Sequence, residues 1–478
     1  MPGHITRPAF VIIGSGPAGL AAALSLLDAG YLAQKDFVVL EKRERFQRRP
    51  QENALLSCAS AKLRHWNVIQ KLECRKQLSP RGGRLYVRFE DHKTSTWVGA
   101  KYTEIVGEYL GDLSTLSVNN VLDDFSTARN MNLTTIGDTE RALLDAATER
   151  GVEIIRGAIL KLTWLREPQR YHISYSNKEG GPIDLGIPDL VIVCEGASRK
   201  LLNKVIGPQH SIRELPEHPP HSYFVCCNVY FVSSQKRRQT MPTGIYIRQY
   251  GEQGFVFAPV ADAPIRNHET NQAVWVKIPR ELVAKAGIWD GAPADVTLAW
   301  KDGPRCAVIE RFASQHINEF LNVMFGPETL KDVRLGEITE PIQIRDSLLS
   351  QAHAGRNLVF FGDAFSTGTF QSGAGMNILL TVDCNSLKSL ISTISEYPET
   401  ALTEYTKNMT ATHMTWHARN SEMYYTAGVP LFVPFVSRTN ATHIFKDSLE
   451  MVEKLVAPAM KVMMDPSLAV ENIGKSKM

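Results

Sequence analysis

A chain of 478 residues, 44% apolar and 22% charged, has the composition of a globular protein of two or three domains with a large buried core. Its formal net charge of +3 gives no reason to expect nucleic acid or an anionic membrane as the main partner. Seven cysteines, odd in number and without CxxC spacing, make no disulfide framework, so a reducing, cytoplasmic setting is expected.

The run FVIIGSGPAG at 10–19 reads as a strand, a turn and the start of an alanine-rich helix. It is not a signal peptide or membrane span, because three glycines and a proline interrupt it and no cleavage site follows. A dinucleotide pyrophosphate site requires this order. Gly14 permits the tight turn, Gly16 lets backbone approach the pyrophosphate, and Gly19 brings the helix close to the strand. Phosphate then sits at the N-terminus of the helix entered through Pro17 and Ala18, where unpaired N–H groups and the dipole face the anion. DFVVLE closes a second strand at Glu41, 22 positions past Gly19. That spacing suits a carboxylate accepting hydrogen bonds from an adenosine ribose. The basic run KRERFQRR at 42–49 reads as a solvated face.

From Glu52, Leu56, Leu63, Trp66 and Ile69 fall at roughly helical spacing and predict one helix. Residues 81–128 alternate in short stretches such as RLYVRF, which predicts antiparallel strands outside the parallel sheet. The chain returns at Thr139 in a capped amphipathic helix stopped by Gly151, followed by VEIIRG, AILKLTW, RYHISYS, a hairpin around Asn177–Gly181 and the strand DLVIVCEG. Residues 206–335 are strand-rich and proline-punctuated, a second antiparallel sheet entered through PEHPPH and left near Gly336. NLVFFGDAF at 357–365 is another buried strand ending in glycine and aspartate, with a long apolar helix after it. The last 80 or so residues read as mostly helical, with a proline-interrupted apolar run at 429–436 and an amphipathic segment from His443 to Val456. Three organisational units result: residues 1–80, 129–205 and 336–398; residues 81–128 and 206–335; and residues 399–478.

GSGPAG with Glu41, DLVIVCEGASR, and GDAFSTGTFQSGAGMN occur in this order. On these motifs the chain resembles the FAD-dependent monooxygenases of the p-hydroxybenzoate hydroxylase-like class, over roughly residues 8–395. The resemblance implies an α/β fold: a Rossmann-like FAD-binding domain of the p-hydroxybenzoate hydroxylase/glutathione reductase type, an antiparallel-sheet substrate domain and a helical C-terminal region. It makes Gly14, Gly16, Pro17, Ala18, Gly19, Glu41, Lys42, Gly362 and Asp363 cofactor contacts, with Asp363 accepting from a ribityl hydroxyl. It puts Gly373, Gly375, Met376 and Asn377 beside the isoalloxazine, at the start of a helix whose dipole would favour negative charge on reduced flavin. Arg48, or else Arg49, matches the family's arginine after the second strand. Asp138 or Thr139 matches a polar residue near FAD, unless these two serve as a helix N-cap instead.

The sequence departs from the family at Cys194-Glu195-Gly196, which stands for Ala-Asp-Gly, at Ser366, which stands for a histidine, and at Phe370, which stands for a proline near the flavin ring. The EKRxxFxR run from Glu41 to Arg48 and WVKIPRELVAKAGI at 275–288 also resemble the MICAL-type monooxygenases over short stretches.

The implied activity is hydride transfer from NADPH or NADH to FAD, reaction with dioxygen to a flavin hydroperoxide, and hydroxylation or epoxidation of an organic, apolar or aromatic small molecule. Flavin carries the chemistry, so no catalytic side chain or metal is required, and His92, His172 and His353 stand in unrelated contexts. Phe370 is the candidate flavin-facing residue. Tyr223, Tyr246, Phe255, Phe257 and Trp275 are substrate candidates on the second sheet, although alternation turns some to the opposite face. A flavin-dependent halogenase is disfavoured because Val274 and Val276 occupy its two tryptophan positions and Trp275 is out of register. The same motifs would also serve a flavin reductase or dehydrogenase, or a non-catalytic binding protein on the same fold. A monomer or homodimer without a transmembrane segment is expected.

Overall fold

The computed structural model describes residues 7–46, 52–75, 77–81, 84–89, 98–101, 117, 131–177, 180–215, 222–231, 244–250, 254–260, 270–285, 304–327, 331, 333–338, 342–344, 347–368 and 374–425. Strand β1 (Phe10–Ile13) leads into helix α1 (Pro17–Asp28), and β2 (Phe37–Glu41) runs parallel to β1, which is the expected βαβ unit.

The single helix expected from Glu52 is corrected. Glu52–Leu55 is strand β3, followed by α2 (Ser57–His65) and α3 (Val68–Cys74). Asn67, at φ 61°, breaks the helix in two, because a left-handed residue cannot continue it. Next come β4 (Ser79–Arg81), β5 (Arg84–Phe89), β6 (Val98–Lys101) and β7 (Met131–Thr135). β7 lies between β3 and β4 in a three-stranded sheet. Helix α4 (Ile136–Glu149) begins earlier than the predicted Thr139, since Thr135 is its N-cap and accepts from the Asp138 amide at 2.9 Å. Strand β8 (Ile154–Arg156) pairs with β2. Strands β9 (Ile159–Leu165), β10 (Arg170–Ser176) and β11 (Ile183–Gly186) form an antiparallel sheet that includes the predicted hairpin. Strand β12 (Leu190–Val193) returns beside β1.

After β13 (Glu214–Leu215) come β14 (Ser222–Phe231), β15 (Gly244–Tyr250), β16 (Gly254–Val260) and β17 (Thr270–Ile278). They are followed by helices α5 (Arg280–Lys285) and α6 (Pro304–Phe325), then β18 (Val333–Ile338) and β19 (Ile342–Ile344). The second sheet runs β18-β14-β17-β16-β15-β5-β6, with β19 also on β14. The strands around residues 84–101 therefore join this sheet, and β5 lies parallel to β15. Helix α6 interrupts a stretch whose sequence predicts strands. Ile309, Ala313, Ile317, Phe320 and Leu321 make one apolar face of it and pack on Val225, Val229, Val274 and Val276.

The chain then re-enters the first layer through β20 (Ser347–Leu349), β21 (His353–Ala354), β22 (Leu358–Phe360) and β23 (Ser366–Thr367). Helix α7 (Ala374–Ile378) continues through a wide turn at 379–383 into α8 (Cys384–Thr393), and α9 (Pro398–Tyr425) closes the described chain. The first sheet has the order β21-β22-β12-β1-β2-β8, with α1 packed against α4 and α8, and α8 against α9. β1, β2, β12 and β22 are buried at every position, as strands covered on both faces must be. Among the described residues no helix is long and apolar enough to cross a membrane. The segments 429–436 and 443–456 lie outside the described residues.

Candidate cofactor site

The three motifs follow the C-terminal ends of β1, β12 and β22, mutually parallel neighbours in one sheet. Ligands of open α/β sheets bind at this edge. Gly14, at φ +103°, has no room for a side chain, since an added Cβ would run into the Cys194 carbonyl of the second motif. At Gly19 a Cβ would meet the carbonyl of Gly14. Gly362, at φ +62°, lies against Ala18, whose Cβ would be 2.8 Å from an added Cβ. First, second and third motifs thus touch through their glycines. Gly16 is different, because among the described residues a Cβ there would meet nothing within 4 Å. Within the first motif, the glycine facing open space is the one that heads α1, which is where a pyrophosphate cradle needs it.

Glu41 is buried and receives five hydrogen bonds, the longest from Arg43 Nη2 at 3.5 Å to the oxygen that Ser15 also serves. Ser15 donates its amide and hydroxyl to one oxygen, each at 2.9 Å; Arg43 donates its amide at 2.9 Å and Nε at 3.1 Å to the other. Arg43 also reaches Glu140 at 3.6 Å, so this member of the basic run is not a solvated charge. Burial alone would push the Glu41 carboxyl up, but the bonds from Arg43 and Ser15 outweigh it and hold the pKa at about 2. The folded value lies below the ordinary 4.5. Its stabilisation is therefore complete above that pH and disappears as pH falls towards 2. Linkage gives about 3 kcal/mol at neutral pH. Glu41→Gln should be less stable than the parent by about this amount in neutral urea denaturation, with the two curves converging in acid. A pH-independent difference would show that the loss has another origin.

The middle motif acts through Arg199. Its guanidinium is buried and donates to the carbonyls of Ala364 and Phe365, each at 3.1 Å, and to Ser347 Oγ at 2.5 Å, and it pairs with Glu214 at 3.3 Å. It fastens the Gly362–Ala364 turn to β20. Within that turn Asp363 is exposed, while Gly362 and Ala364 are buried. Glu195 accepts from the amides of Leu201 and Leu202 at 2.9 and 3.2 Å and caps the helical segment that follows. Burial raises its pKa despite these bonds and the nearby charge of Lys42.

A family model described as "FAD binding domain" matches residues 8–288. The chain belongs to this family, that of the p-hydroxybenzoate hydroxylase-like flavin monooxygenases. The residues fit FAD: a glycine cradle left open at Gly16, a buried carboxylate closing β2, and an exposed aspartate on the adjoining turn. The fold is similar to CmlS, a flavin-dependent halogenase, with TM-score 0.62, 15% identity, and coverage of 89% of this chain and 66% of that one. It is also similar to the peptidyl tryptophan dihydroxylase QhpG, with TM-score 0.52, 15% identity and coverage of 90% and 78%. P. aeruginosa PqsL in complex with 2-aminobenzoylacetate gives TM-score 0.54 and 15% identity, with coverage of 92% and 100%. No curated relative matches the sequence.

The remaining expected residues of this FAD-binding chain are distributed as follows. Asp138 accepts from Gln77 Nε2 and Thr135 Oγ1, both at 2.8 Å, and Thr139 Oγ1 donates to the Thr135 carbonyl at 3.0 Å. Both side chains thus serve the start of α4. Asn377 is buried, and its Oδ1 accepts from the Leu56 amide at 2.8 Å, tying α7 to the entry of α2. Met376 packs partly buried on the main core, Gly375 lies beside Trp416, and Lys42 is exposed. Tyr223 is corrected as a substrate candidate, because its side chain is in the core beneath α6. Trp275 belongs to the other face of the sheet, alternating with Val274 and Val276, which α6 covers. Tyr246 lies on β15, Phe255 and Phe257 on β16, and Phe257 is in register with Trp275. Arg48, Arg49, Phe370 and Gly373 lie outside the described residues. Ser15, Arg43 and Arg199 have no role legible in the sequence, although each stands in or beside a motif; only their long-range partners disclose them.

Proposed function

We propose that this protein is an FAD-dependent monooxygenase that uses NADPH or NADH and dioxygen to hydroxylate or epoxidise an apolar or aromatic small molecule. The convergence of three cofactor motifs at one sheet edge, with Gly16 open and Asp363 exposed, carries this reading. In it, the amides at the head of α1 hold the pyrophosphate, Glu41 and Asp363 accept from the ribose and the ribityl chain, and Arg199 keeps the Asp363 turn in place. Bound FAD supplies hydride acceptance and delivery of one oxygen atom. The second sheet forms the substrate wall on the face opposite α6, where Trp275, itself buried at 4% exposure, backs the wall and helps exclude water. Lys277 shares that face with Trp275 by alternation, and burial lowers its pKa. We assign residues 1–80, 129–205 and 336–398 to the cofactor domain, 81–128 and 206–335 to the substrate domain, and 399–478 to the C-terminal region. The reading includes a cytoplasmic monomer or homodimer.

The test uses the yellow holoprotein. NADPH or NADH should bleach the flavin anaerobically, faster with a true substrate from an aromatic compound panel. With isotopically labelled dioxygen, one labelled atom should enter the product. Label recovered only in hydrogen peroxide or water, for every compound that accelerates reduction, would sink monooxygenation; halide-dependent halogenation would assign the rival activity. A wild-type protein that binds no FAD would overturn the cofactor assignment itself.

A further inference from the structure

Helix α9 crosses the site at one helical turn. Trp416, 2% exposed, has its indole against both Gly368 and Gly375: a Cβ added at Gly368 would lie 2.6 Å from Cζ2, and one added at Gly375 3.5 Å from Cη2. Gly368 follows β23, and Gly375 lies in the first turn of α7. At helical i, i+3 and i+4 spacing with the indole, two histidines hold the chain just before Gly368 and the wide turn that follows α7. His417 Nε2 is 2.8 Å from Ser366 Oγ, and its ring stacks on Trp416 with centroids 5.3 Å apart. His413 Nε2 is 3.0 Å from Asp383 Oδ1, and its ring meets Phe365 edge-on at 5.4 Å. Burial, with the charges of His413 and Arg199, pushes His417 down to about 3, so its imidazole stays neutral.

We infer that Trp416 is a positioning residue for the flavin: wedged between Gly368 and Gly375, it sets the separation of the end of β23 from the start of α7. The inference rests on the FAD reading and gives a role to part of the C-terminal region, which the cofactor motifs leave unassigned. Glycine is required at 368 by contact with the indole, since its backbone has no left-handed φ. Close-packed interiors transmit such a displacement because no void absorbs it. Tyr405, on the same helix, donates to the Phe360 carbonyl at 2.9 Å and holds α9 along β22, away from the wedge.

The experiment compares Trp416→Leu, Gly368→Ala and the double variant, reading the FAD dissociation constant by flavin fluorescence and the visible circular dichroism of bound flavin. Each single variant is expected to weaken FAD binding roughly tenfold or more and to change the dichroism. The double variant should recover most of the loss, because the added methyl occupies space the indole has left. Tyr405→Phe should lower the melting temperature while leaving affinity and dichroism unchanged. Wild-type affinity and dichroism in both single variants, additive losses in the double variant, or equal flavin effects from Tyr405→Phe would overturn the wedge. If Trp416→Leu does not fold, Trp416→Phe and Gly368→Ala decide on the same readouts. Failure of the wild type to bind FAD sinks the cofactor reading; FAD binding indifferent to Trp416 sinks this inference alone.

Discussion

Replacing Arg199 by methionine is expected to destabilise the protein by about 3–5 kcal/mol and to strip it of FAD. Arg199 is 1% exposed, and its donors serve the carbonyls of Ala364, Phe365 and Ser347 as well as the Ser347 hydroxyl. Methionine fills comparable volume but donates nothing, so buried acceptors lose their partner, each at a cost of about 1–3 kcal/mol. Glu214 loses its cation too, although its side chain is 30% exposed and water takes up part of that loss. Lysine should rescue little, because a single ammonium cannot reproduce the planar fork over acceptors on two chain segments. The backbone of Arg199 has φ 43°, a conformation that costs a non-glycine residue about 1 kcal/mol or more and persists only when its surroundings hold it. The measurement is paired: urea unfolding of the apoprotein and flavin content after gel filtration. Undiminished stability would show the hub to be dispensable, and full FAD content in a destabilised variant would separate Arg199 from the Asp363 turn.

What the sequence discloses is what local chain geometry determines. Gly14, Gly16 and Gly19 sit at the spacing of a strand–turn–helix, Glu41 closes the next buried strand, and Gly362 ends another; each requirement lies within a few residues. Pairings that close over long distances are not legible. Glu52–Leu55 looks helical because Leu55 and Leu56 satisfy either period, and its strand partner at 132–135 lies far along the chain. Alternation divides the second sheet into two faces but cannot say which one α6 covers, so Tyr223 and Trp275 look equivalent. The basic run suggests solvent until Arg43 meets Glu41 and Glu140. Ser366, the departure from the family histidine, acquires an imidazole from His417, 51 positions later in a helix whose sequence carries no motif.

Gly16→Ala and Gly19→Ala should separate cofactor binding from folding, although the residues are three apart in one motif. At Gly19 an added methyl collides with the Gly14 carbonyl and comes within 3.5 Å of Ile12 Cγ2, so α1 must move off β1. Both partners are central to the core, and overpacking there is expected to cost about 3 kcal/mol or more, with or without FAD. Gly16 has extended backbone at φ −70° and ψ −175°, which alanine adopts without strain, and among the described residues no atom beyond its chain neighbours lies within 4 Å of the new Cβ. The apoprotein should therefore lose no more than about 1 kcal/mol, mainly from alanine's poorer N-cap preference. FAD affinity should nevertheless fall roughly a hundredfold, the scale of loss from displacing a tightly positioned group by about an ångström. Phosphate would then face a methyl group at the point where the amides of α1 must approach it. Unfolding curves of both apoproteins and FAD titrations of Gly16→Ala decide the matter. If Gly16→Ala unfolds as easily as Gly19→Ala, the open side of the cradle serves folding; if it binds FAD normally, the pyrophosphate does not lie there.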